Sequence, residues 1–241
     1  MNKLKAYFLK QQFRPNWFAI FINPFYYGRS AIFNQIRKNQ MFITGKTLDI
    51  GCGDKHYELL FKKVTQYVGM DIEVSGHVSH HSKVDVYYDG KIFPFDNESF
   101  DSAVCFEVLE HVFNPDDFLS EIYRILKPES KFLITVPFIW DEHEQPYDYA
   151  RYSSFGLKHL FEKNGFTIEK HIKYLNNFRL IHLLINTYIY KTVKQVLPGF
   201  FAIPIILFLT SIINLLGIFA ILIPKNHDFY FGNMFVLTKV K

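Results

Sequence analysis

The chain has 241 residues, of which 49% are hydrophobic and 21% charged, and its formal net charge at pH 7 is +4. The composition excludes a disordered chain, and the length predicts one globular domain with at most a modest appendage. Lysine and arginine form no run longer than a pair, so a nucleic-acid partner is not expected, and Cys52 and Cys105 stand too far apart for a disulfide framework or a CxxC metal site.

The first segment, residues 1–44, is predicted to form an N-terminal helical cap. Pro24 is expected to interrupt it, and residues 30–41 place Ile32, Phe33 and Ile36 on one face of a helix. Arg14-Pro15-Asn16 interrupts the segment before any apolar run of signal-peptide length. A cytoplasmic protein is therefore expected.

The second segment, residues 45–176, alternates short apolar runs with helical patterns. Strands are predicted at 46–50, 66–71, 84–88, 100–106, 131–137 and 166–175, and helices at 55–64, 115–126 and 154–164. Asn114 and Ser153 are expected to cap the last two helices, and Gly165 to end the third. This alternation predicts an α/β fold with a doubly wound, mostly parallel sheet.

Two glycines follow the first predicted strand, in Asp49-Ile-Gly51-Cys-Gly53. Such a turn lets the backbone lie directly against a ligand. A dinucleotide fingerprint needs a third glycine at the position of His56, so NAD is disfavoured. Asp71 ends the second strand, where a carboxylate can accept both hydroxyl hydrogens of a ribose. These residues predict a site for a nucleoside that carries no pyrophosphate.

Four stretches resemble, in order and spacing, the motifs of class I S-adenosylmethionine-dependent methyltransferases: 48–57, 69–73, 87–112 and 126–138. The resemblance covers about residues 44–176. It implies S-adenosylmethionine as the cofactor, and a Rossmann-like sheet of seven strands in which the last, within residues 229–241, runs antiparallel.

The resemblance assigns six residues to cofactor binding: Asp49, Gly51 and Gly53 at the methionine end, Asp71 at the ribose, Asp89 at the adenine amino group, and Glu107 at the closing wall. The sequence departs from the family pattern at two places. Lys55 stands where glycine is common and is expected to reshape the methionine pocket, and Glu129-Ser130 replaces a Gly-Gly pair in a turn.

The methyl acceptor is expected to meet residues 138–156, which follow the fifth strand. His143 to Tyr152 resemble the HxxPxDYxRY segment of one methyltransferase subgroup associated with saccharide and cell-envelope pathways. The predicted catalytic residues are His143, Tyr147 and Arg151. His143 is the candidate general base, because imidazole titrates near neutrality.

Arg151 is the candidate clamp for a carboxylate or phosphate of the acceptor. An equally weighted interpretation is that Asp148 and Arg151 pair across a helix turn while the tyrosines cover the cofactor. His111 is expected to bond backbone. His80-His81 has no acidic or cysteine partners at metal-binding spacing, so no metal site is expected.

The third segment, residues 177–228, is apolar, and no charged residue or histidine occurs in 195–224. Residues 199–222 are long enough to span a bilayer, but a single crossing would separate the last strand from its sheet. The expectation is an in-plane helix pair or a re-entrant hairpin, broken at three positions: Pro204, Gly217 and Pro224. A soluble cap or a dimer interface is the alternative.

Residues 178–197 are amphipathic and carry Arg179, Lys191 and Lys194, which anionic headgroups would attract. Peripheral contact with the inner face of the cell membrane through 178–224 is therefore predicted. The predicted function is methylation of an oxygen on a small-molecule, saccharide or lipid-linked substrate. A quinone-type C-methyltransferase and a non-catalytic, membrane-associated S-adenosylmethionine-binding protein are the alternatives.

Overall fold

A computed structural model describes residues 3–72 and 83–240 of the chain. Glu73 of the second motif and the pair His80-His81 lie outside the described residues. Contacts divide the chain into two compact units, a sheet unit (Ile36–Ile172 with Gly232–Lys241) and a helical unit (Met1–Gln35 with Lys173–Phe231). The four-segment division predicted from the sequence stays a prediction.

Seven strands form one sheet: β1 (Thr44–Ile50), β2 (Lys63–Ile72), β3 (Val86–Tyr88), β4 (Phe100–Phe106), β5 (Leu126–Pro137), β6 (Phe166–Tyr174) and β7 (Gly232–Lys239). Their order is β3-β2-β1-β4-β5-β7-β6. β1 lies parallel to both β2 and β4, whereas β7 lies antiparallel to β5. The predicted doubly wound sheet with an antiparallel last strand is confirmed. The connection reverses direction between β1 and β4, where such folds bind ligands.

Two helices of the sheet unit bury the apolar faces that the sequence pattern indicates. The helix α4 (Pro115–Ile125) buries Phe118, Leu119, Ile122 and Ile125, and α5 (Ser154–Lys163) buries Leu157 and Phe161. The Ser153 hydroxyl accepts a hydrogen bond from the Gly156 N–H at 3.1 Å, as an N-cap does. Asn114 occupies the cap position of α4 without a side-chain bond.

The helix predicted at 55–64 is wrong. The chain there forms turns and one short 3-10 helix, Glu58–Leu60, and β2 already begins at Lys63. Lys55 has a left-handed backbone, with φ of 51°, which an α-helix does not accommodate. The apolar spacing instead serves ring packing, because the Tyr57 and Phe61 rings lie 5.3 and 6.3 Å from the ring of Phe106.

The helical unit contains α1 (Lys3–Phe13), α2 (Ala19–Ile22), α6 (Arg179–Val196) and α7 (Gly199–Leu216), with residues 26–35 of α3 (Tyr26–Asn39). Asn214 of α7 links α2 and α6 to α7. Its side-chain nitrogen donates to the carbonyl oxygens of Ile20 (2.9 Å) and Asn23 (3.1 Å), and its side-chain oxygen accepts from Asn186 of α6 (2.9 Å). These groups are buried, so their hydrogen bonds offset the cost of removing them from water.

The predicted break at Pro204 is absent, because α7 continues through it. Pro204 is the sixth residue of α7, beyond the unpaired N–H groups of the first turn, so it costs the helix one backbone hydrogen bond without ending it. Gly217 does end α7, and a short 3-10 helix, Phe219–Leu222, precedes Pro224. Among the described residues, one stretch, Gly199–Leu222, is long and apolar enough to span a membrane, and only 28% of its most apolar window is buried.

Candidate functional site

The chain makes a tight turn after β1, at the point where the sheet order reverses. Gly51 and Gly53 have positive φ angles of 70° and 47°, and the N–H groups of Gly51 and Cys52 donate to the Met70 carbonyl. A side chain at Gly51 would collide with Val108, so packing requires that glycine. A Cβ at Gly53 would meet nothing within 4 Å. Gly53 therefore presents an open backbone surface on which a ligand can lie.

Asp71 ends β2 beside this turn. Its Oδ2 accepts a hydrogen bond from the Gly53 N–H at 2.9 Å, and its Oδ1 accepts from the Ile72 N–H at 2.8 Å. These bonds fix the carboxylate next to the open surface. The sequence predicts contact between Asp71 and a ribose. The structure places the carboxylate beside the turn after β1, and its role stays a prediction.

Asp49 lies buried in β1, two residues before the turn. Its Oδ2 accepts a hydrogen bond of 2.7 Å from the Tyr67 hydroxyl. Burial raises the pKa of Asp49 to about 7, and the charge of Asp71 adds to this, while the bond from Tyr67 opposes it. Its carboxyl group is therefore balanced between its neutral and charged forms near neutral pH.

Lys55 occupies the position where the family pattern often has glycine, and its left-handed φ of 51° gives the physical reason for that glycine. The Lys55 ammonium pairs with Asp85, and its side chain crosses Gly69, where any Cβ would collide with it. Burial works against ionisation of Asp85, but the Gly69 N–H and Lys55 outweigh it and lower the pKa of Asp85. The departure from glycine thus adds an ion pair beside the turn, in which the Lys55 side chain is buried and Asp85 is exposed.

Asp89 and Glu107 follow the next two strands. The Oδ1 of Asp89 accepts from the N–H groups of Lys91 (2.9 Å) and Ile92 (3.3 Å), which form a turn after β3. The Lys91 N–H contributes most to lowering the pKa of Asp89. Glu107 follows β4 with a φ of 56°, and its N–H donates to the Thr135 carbonyl of β5 at 3.0 Å. All six predicted cofactor residues therefore lie at the carboxyl ends of β1 to β4, and their individual roles stay predictions.

His143, the predicted general base, lies in the loop after β5 and contacts the loop after β4. Its Nε2 lies 3.2 Å from the Nε2 of His111, and 3.9 Å from Oε1 of Glu110. Burial, together with the neighbouring His111, lowers the pKa of His143, so its imidazole is neutral at pH 7. A neutral imidazole at this edge can accept a proton.

Arg151 organises the loop that carries His143. Its guanidinium binds both carboxylate oxygens of Asp148, at 2.5 and 2.6 Å, and donates to the carbonyls of Trp140, Asp141 and Ala150. All five N–H groups of Arg151 are engaged. The ion pair between Asp148 and Arg151, which was the alternative to an acceptor clamp, is therefore present, although the backbone there is not helical. Tyr147 is exposed, and its carbonyl accepts from Nδ1 of His111 at 2.9 Å.

Glu110 is a further side chain of this site, and no motif in the sequence singled it out. This side chain is 0% exposed, and it lies directly before His111 in the turn after β4. In the sequence, Glu110 lies three positions after Glu107 and directly before a histidine, where a parallel strand ends. This pattern could have identified it. The predicted backbone bond of His111 is present, but its other ring nitrogen faces His143.

Comparisons with known proteins agree with this geometry. The family model described as "Methyltransferase domain" matches residues 36–171, more than half of the chain. A Mycolicibacterium smegmatis protein, described as a "Probable S-adenosylmethionine-dependent methyltransferase", is 27% identical over 133 residues, which are 51% of this chain and 52% of that protein. The chain thus spans about half the length of this relative.

Two solved structures share the fold. One is a Haemonchus contortus phosphoethanolamine N-methyltransferase 2 in complex with S-adenosyl-L-methionine, with a TM-score of 0.54 and 19% identity over 96% of this chain and 59% of that one. The other is the [4+2]-cyclase SpnF, with a TM-score of 0.56 and 18% identity over 87% of this chain and 80% of that one. At these identities the likeness shows the fold alone.

Proposed function

The chain belongs to the class I S-adenosylmethionine-dependent methyltransferase family, and from this premise we propose that it methylates an oxygen of a saccharide or lipid-linked cell-envelope intermediate. When bound, S-adenosylmethionine supplies a methyl group on a positively charged sulfur, which is already a good electrophile. The protein has to hold this group in line with the acceptor, exclude water and accept a proton.

The open backbone at Gly53, flanked by Asp71, is the observation that carries the proposal. Gly51, Gly53 and Asp49 would hold the methionine end of the cofactor. Asp71 would bind the ribose hydroxyls, Asp89 would bind the adenine amino group, and Glu107 would close the site after β4. The residues fit this cofactor because the turn leaves its outer backbone surface uncovered, while a carboxylate stands beside it.

The acceptor side rests on the loops after β4 and β5. His143 accepts the hydroxyl proton of the acceptor, and Arg151 acts as a positioning residue that holds the 141–151 loop through Asp148. Tyr147 belongs to the same loop and has an exposed side chain. This polar set favours a hydroxyl acceptor over the phenolate of a quinone-type C-methyltransferase. The acceptor class itself is proposed from the resemblance of residues 143–152 to the saccharide-associated subgroup.

Calorimetric titration of S-adenosylhomocysteine into the protein tests the cofactor site. We expect micromolar binding, and we expect Asp71→Ala to weaken it by about 1.5–3 kcal/mol, the scale of a hydrogen bond to a charged group. Asp117→Ala, which removes an exposed carboxylate from α4, is the matched control and should bind as the wild type does. No binding by the folded wild-type protein would refute the proposal.

A methyl-transfer assay with hydroxylated saccharide and lipid-linked acceptors tests the enzyme assignment. His143→Ala should keep its affinity for S-adenosylhomocysteine and lose activity by about 10²–10⁴-fold, the usual contribution of a general base. Binding without transfer to any acceptor would favour the non-catalytic alternative.

We also propose that residues 178–224 bind peripherally to the inner face of the cell membrane. One stripe of α7 is buried, namely Ala202, Ile206, Thr210 and Asn214. Large apolar side chains elsewhere on α7 and the following 3-10 helix are exposed: Phe200 by 84%, Phe208 by 65%, Phe219 by 67% and Leu222 by 79%. An exposed apolar surface of this extent marks an interaction site.

The basic residues predicted to meet headgroups divide into two sets. Arg179 donates to the Gly217 carbonyl at 3.0 Å and lies over the Tyr27 ring, so it ties α6 to the end of α7. Lys191 and Lys194 stand in the last two turns of α6. We assign the contact with anionic lipid to these two lysines.

A further inference from the structure

The side chains of Glu110, His111 and His143 come together between the loops after β4 and β5. Of these three, the proposed reaction uses only His143. The Nε2 atoms of His111 and His143 lie 3.2 Å apart, and Oε1 of Glu110 lies 3.8 Å from the first and 3.9 Å from the second. One possible ligand atom from each residue lies within 4.8 Å of the others. Among residues 3–72 and 83–240, these three side chains form the one group of histidine, cysteine or carboxylate side chains that has metal-binding spacing.

Glu110 is the member of this cluster that requires a partner. The side chain is 0% exposed, and neither carboxylate oxygen has a hydrogen-bond partner among the described residues. Burying a carboxylate without compensation costs several kcal/mol. The nearby charge of Glu107 increases this cost, and the charge of Arg151 offsets part of it. A cation held between Glu110 and the two imidazoles would remove it.

Nδ1 of His111 faces a hydrogen-bond acceptor, and Nδ1 of His143 faces two acceptors and one donor nitrogen of Arg151. Nδ1 of His111 lies 2.9 Å from the Tyr147 carbonyl oxygen. Nδ1 of His143 lies 3.2 Å from the Asp141 carbonyl oxygen and 3.3 Å from Oδ2 of Asp148, with an Arg151 nitrogen slightly farther away at 3.4 Å. If both Nδ1 atoms carry the proton, the two Nε2 lone pairs point at each other, and they repel unless a cation lies between them.

We propose that Glu110, His111 and His143 bind one divalent transition-metal ion. Two ligand nitrogens about 2.0–2.1 Å from such a metal in tetrahedral geometry lie roughly 3.3 Å apart, close to the observed separation of the two histidines. The contacts from Nδ1 to the Tyr147 carbonyl and to Asp148 are those that orient metal-binding histidines. Two nitrogens and one oxygen suit zinc, iron, cobalt or manganese better than magnesium, which prefers oxygen ligands alone.

Three protein ligands leave coordination positions for a further oxygen. This part of the inference rests on the proposed function: the metal would bind the acceptor hydroxyl and lower its pKa, so that its proton passes to solvent water. The oxygen would then form a bond to the methyl carbon while the carbon–sulfur bond breaks and its electron pair stays on the sulfur. His143 would then serve as a ligand rather than as the proton acceptor.

Metal binding can be measured without any activity assay. The tag-free full chain is stripped with a chelator and titrated with Co²⁺, whose visible absorption reports nitrogen and oxygen ligation, and bound Zn²⁺ is counted after dialysis. We expect one ion per chain. Glu110→Gln and His111→Ala should each weaken Co²⁺ binding at least tenfold, whereas His159→Ala, which removes an exposed histidine of α5, should not.

The thermal midpoint separates a ligand role from a structural one. If Glu110 binds a metal, Zn²⁺ should raise the midpoint of the wild type and leave that of Glu110→Gln unchanged, and in chelator the variant should be at least as stable as the wild type. The absence of stoichiometric Co²⁺ or Zn²⁺ binding, or equal binding by Glu110→Gln, would overturn the proposal. Titration of the same metal-free protein with S-adenosylhomocysteine keeps the proposed function separately testable.

Discussion

The two glycines of the turn after β1 have different reasons for being glycine. Gly51 is packed against Val108, whereas Gly53 borders open space. A left-handed φ costs a residue with a Cβ roughly 1–2 kcal/mol, and Gly51→Ala adds a steric collision to that cost. We therefore expect Gly51→Ala to lower the free energy of unfolding more than Gly53→Ala, as measured by urea denaturation.

The same pair of variants tests the ligand surface. Gly53→Ala should retain most of its stability yet bind S-adenosylhomocysteine more weakly, because its methyl group would occupy the surface assigned to the methionine end. An unchanged affinity in a folded Gly53→Ala protein would remove Gly53 from the cofactor site.

Because of Asp49, we expect the affinity of the site for S-adenosylhomocysteine to depend on pH. The ammonium group of bound S-adenosylhomocysteine would favour the charged form of Asp49 over its neutral form. Binding therefore releases a proton at any pH at which Asp49 of the free protein is protonated. With a pKa of about 7 in the free protein, affinity for S-adenosylhomocysteine should rise with pH below about 7, by at most about tenfold per unit, and level off above it.

Calorimetry between pH 5.5 and 8.5 measures this dependence. Asp49→Asn cannot release the proton and should give a flat profile. The charged and hydrogen-bonding groups that act on Asp49 are Tyr67, Asp71, Lys55 and Glu58, so the variant has to be compared at constant ionic strength. A wild-type affinity that falls as pH rises toward 7 would contradict the assignment of Asp49 to the methionine end.

Among single residues, the strand-end positions could be predicted and their contacts could not. Asp71 and Gly53 follow apolar runs that the sequence displays. The contact of His143 with His111 joins residues 32 positions apart, and it depends on the path of the 141–151 loop, which Arg151 fixes through backbone carbonyls. No spacing rule in the sequence encodes such a path.

At the scale of elements, the turn within β5 carries removable strain. Glu129 stands where the family pattern has Gly-Gly, is exposed, and has a φ of 63°. Glu129→Gly should increase the free energy of unfolding by about 0.5–1 kcal/mol, since the relief of strain exceeds the added freedom of glycine in the unfolded chain.

Glu129→Ala is the control for that prediction, because it removes the same carboxylate but keeps the Cβ. It should bring no gain in urea denaturation. A gain of equal size in both variants would mean that charge, rather than backbone conformation, limits stability at this turn.

The central strands were predictable because β1, β4 and β5 contain buried apolar runs. In β4 the predicted and observed limits coincide. The predicted helix at 55–64 failed because helical spacing is also satisfied by aromatic residues that pack from a turn. Tyr57 and Phe61 bury their rings that way. The left-handed backbone conformation of Lys55 cannot be read from the apolar spacing of the sequence.

At the scale of the whole molecule, liposome flotation tests whether the exposed apolar surface of residues 199–222 binds a membrane. The protein should float with liposomes, more strongly when these contain anionic lipid, because Lys191 and Lys194 add electrostatic attraction. The double variant Phe219→Asp/Leu222→Asp should remain unbound, since both side chains are largely exposed and burying a charge in lipid is costly.

Phe155→Asp is the matched control, because Phe155 is 75% exposed but belongs to α5 of the sheet unit. It should float as the wild type does. Flotation of the double variant, or a stable dimer in place of flotation, would favour the alternatives of a soluble cap or a subunit interface.

The helical segment between β6 and β7 begins and ends at almost one point. The Asn226 N–H donates to the Asn176 carbonyl at 3.0 Å, and the Phe231 N–H donates to the Tyr174 carbonyl at 3.1 Å. A segment whose ends meet in this way can change length or sequence without displacing the strands that flank it. Insertions, deletions or replacement of the roughly fifty residues in this segment should therefore leave the sheet and its strand ends intact.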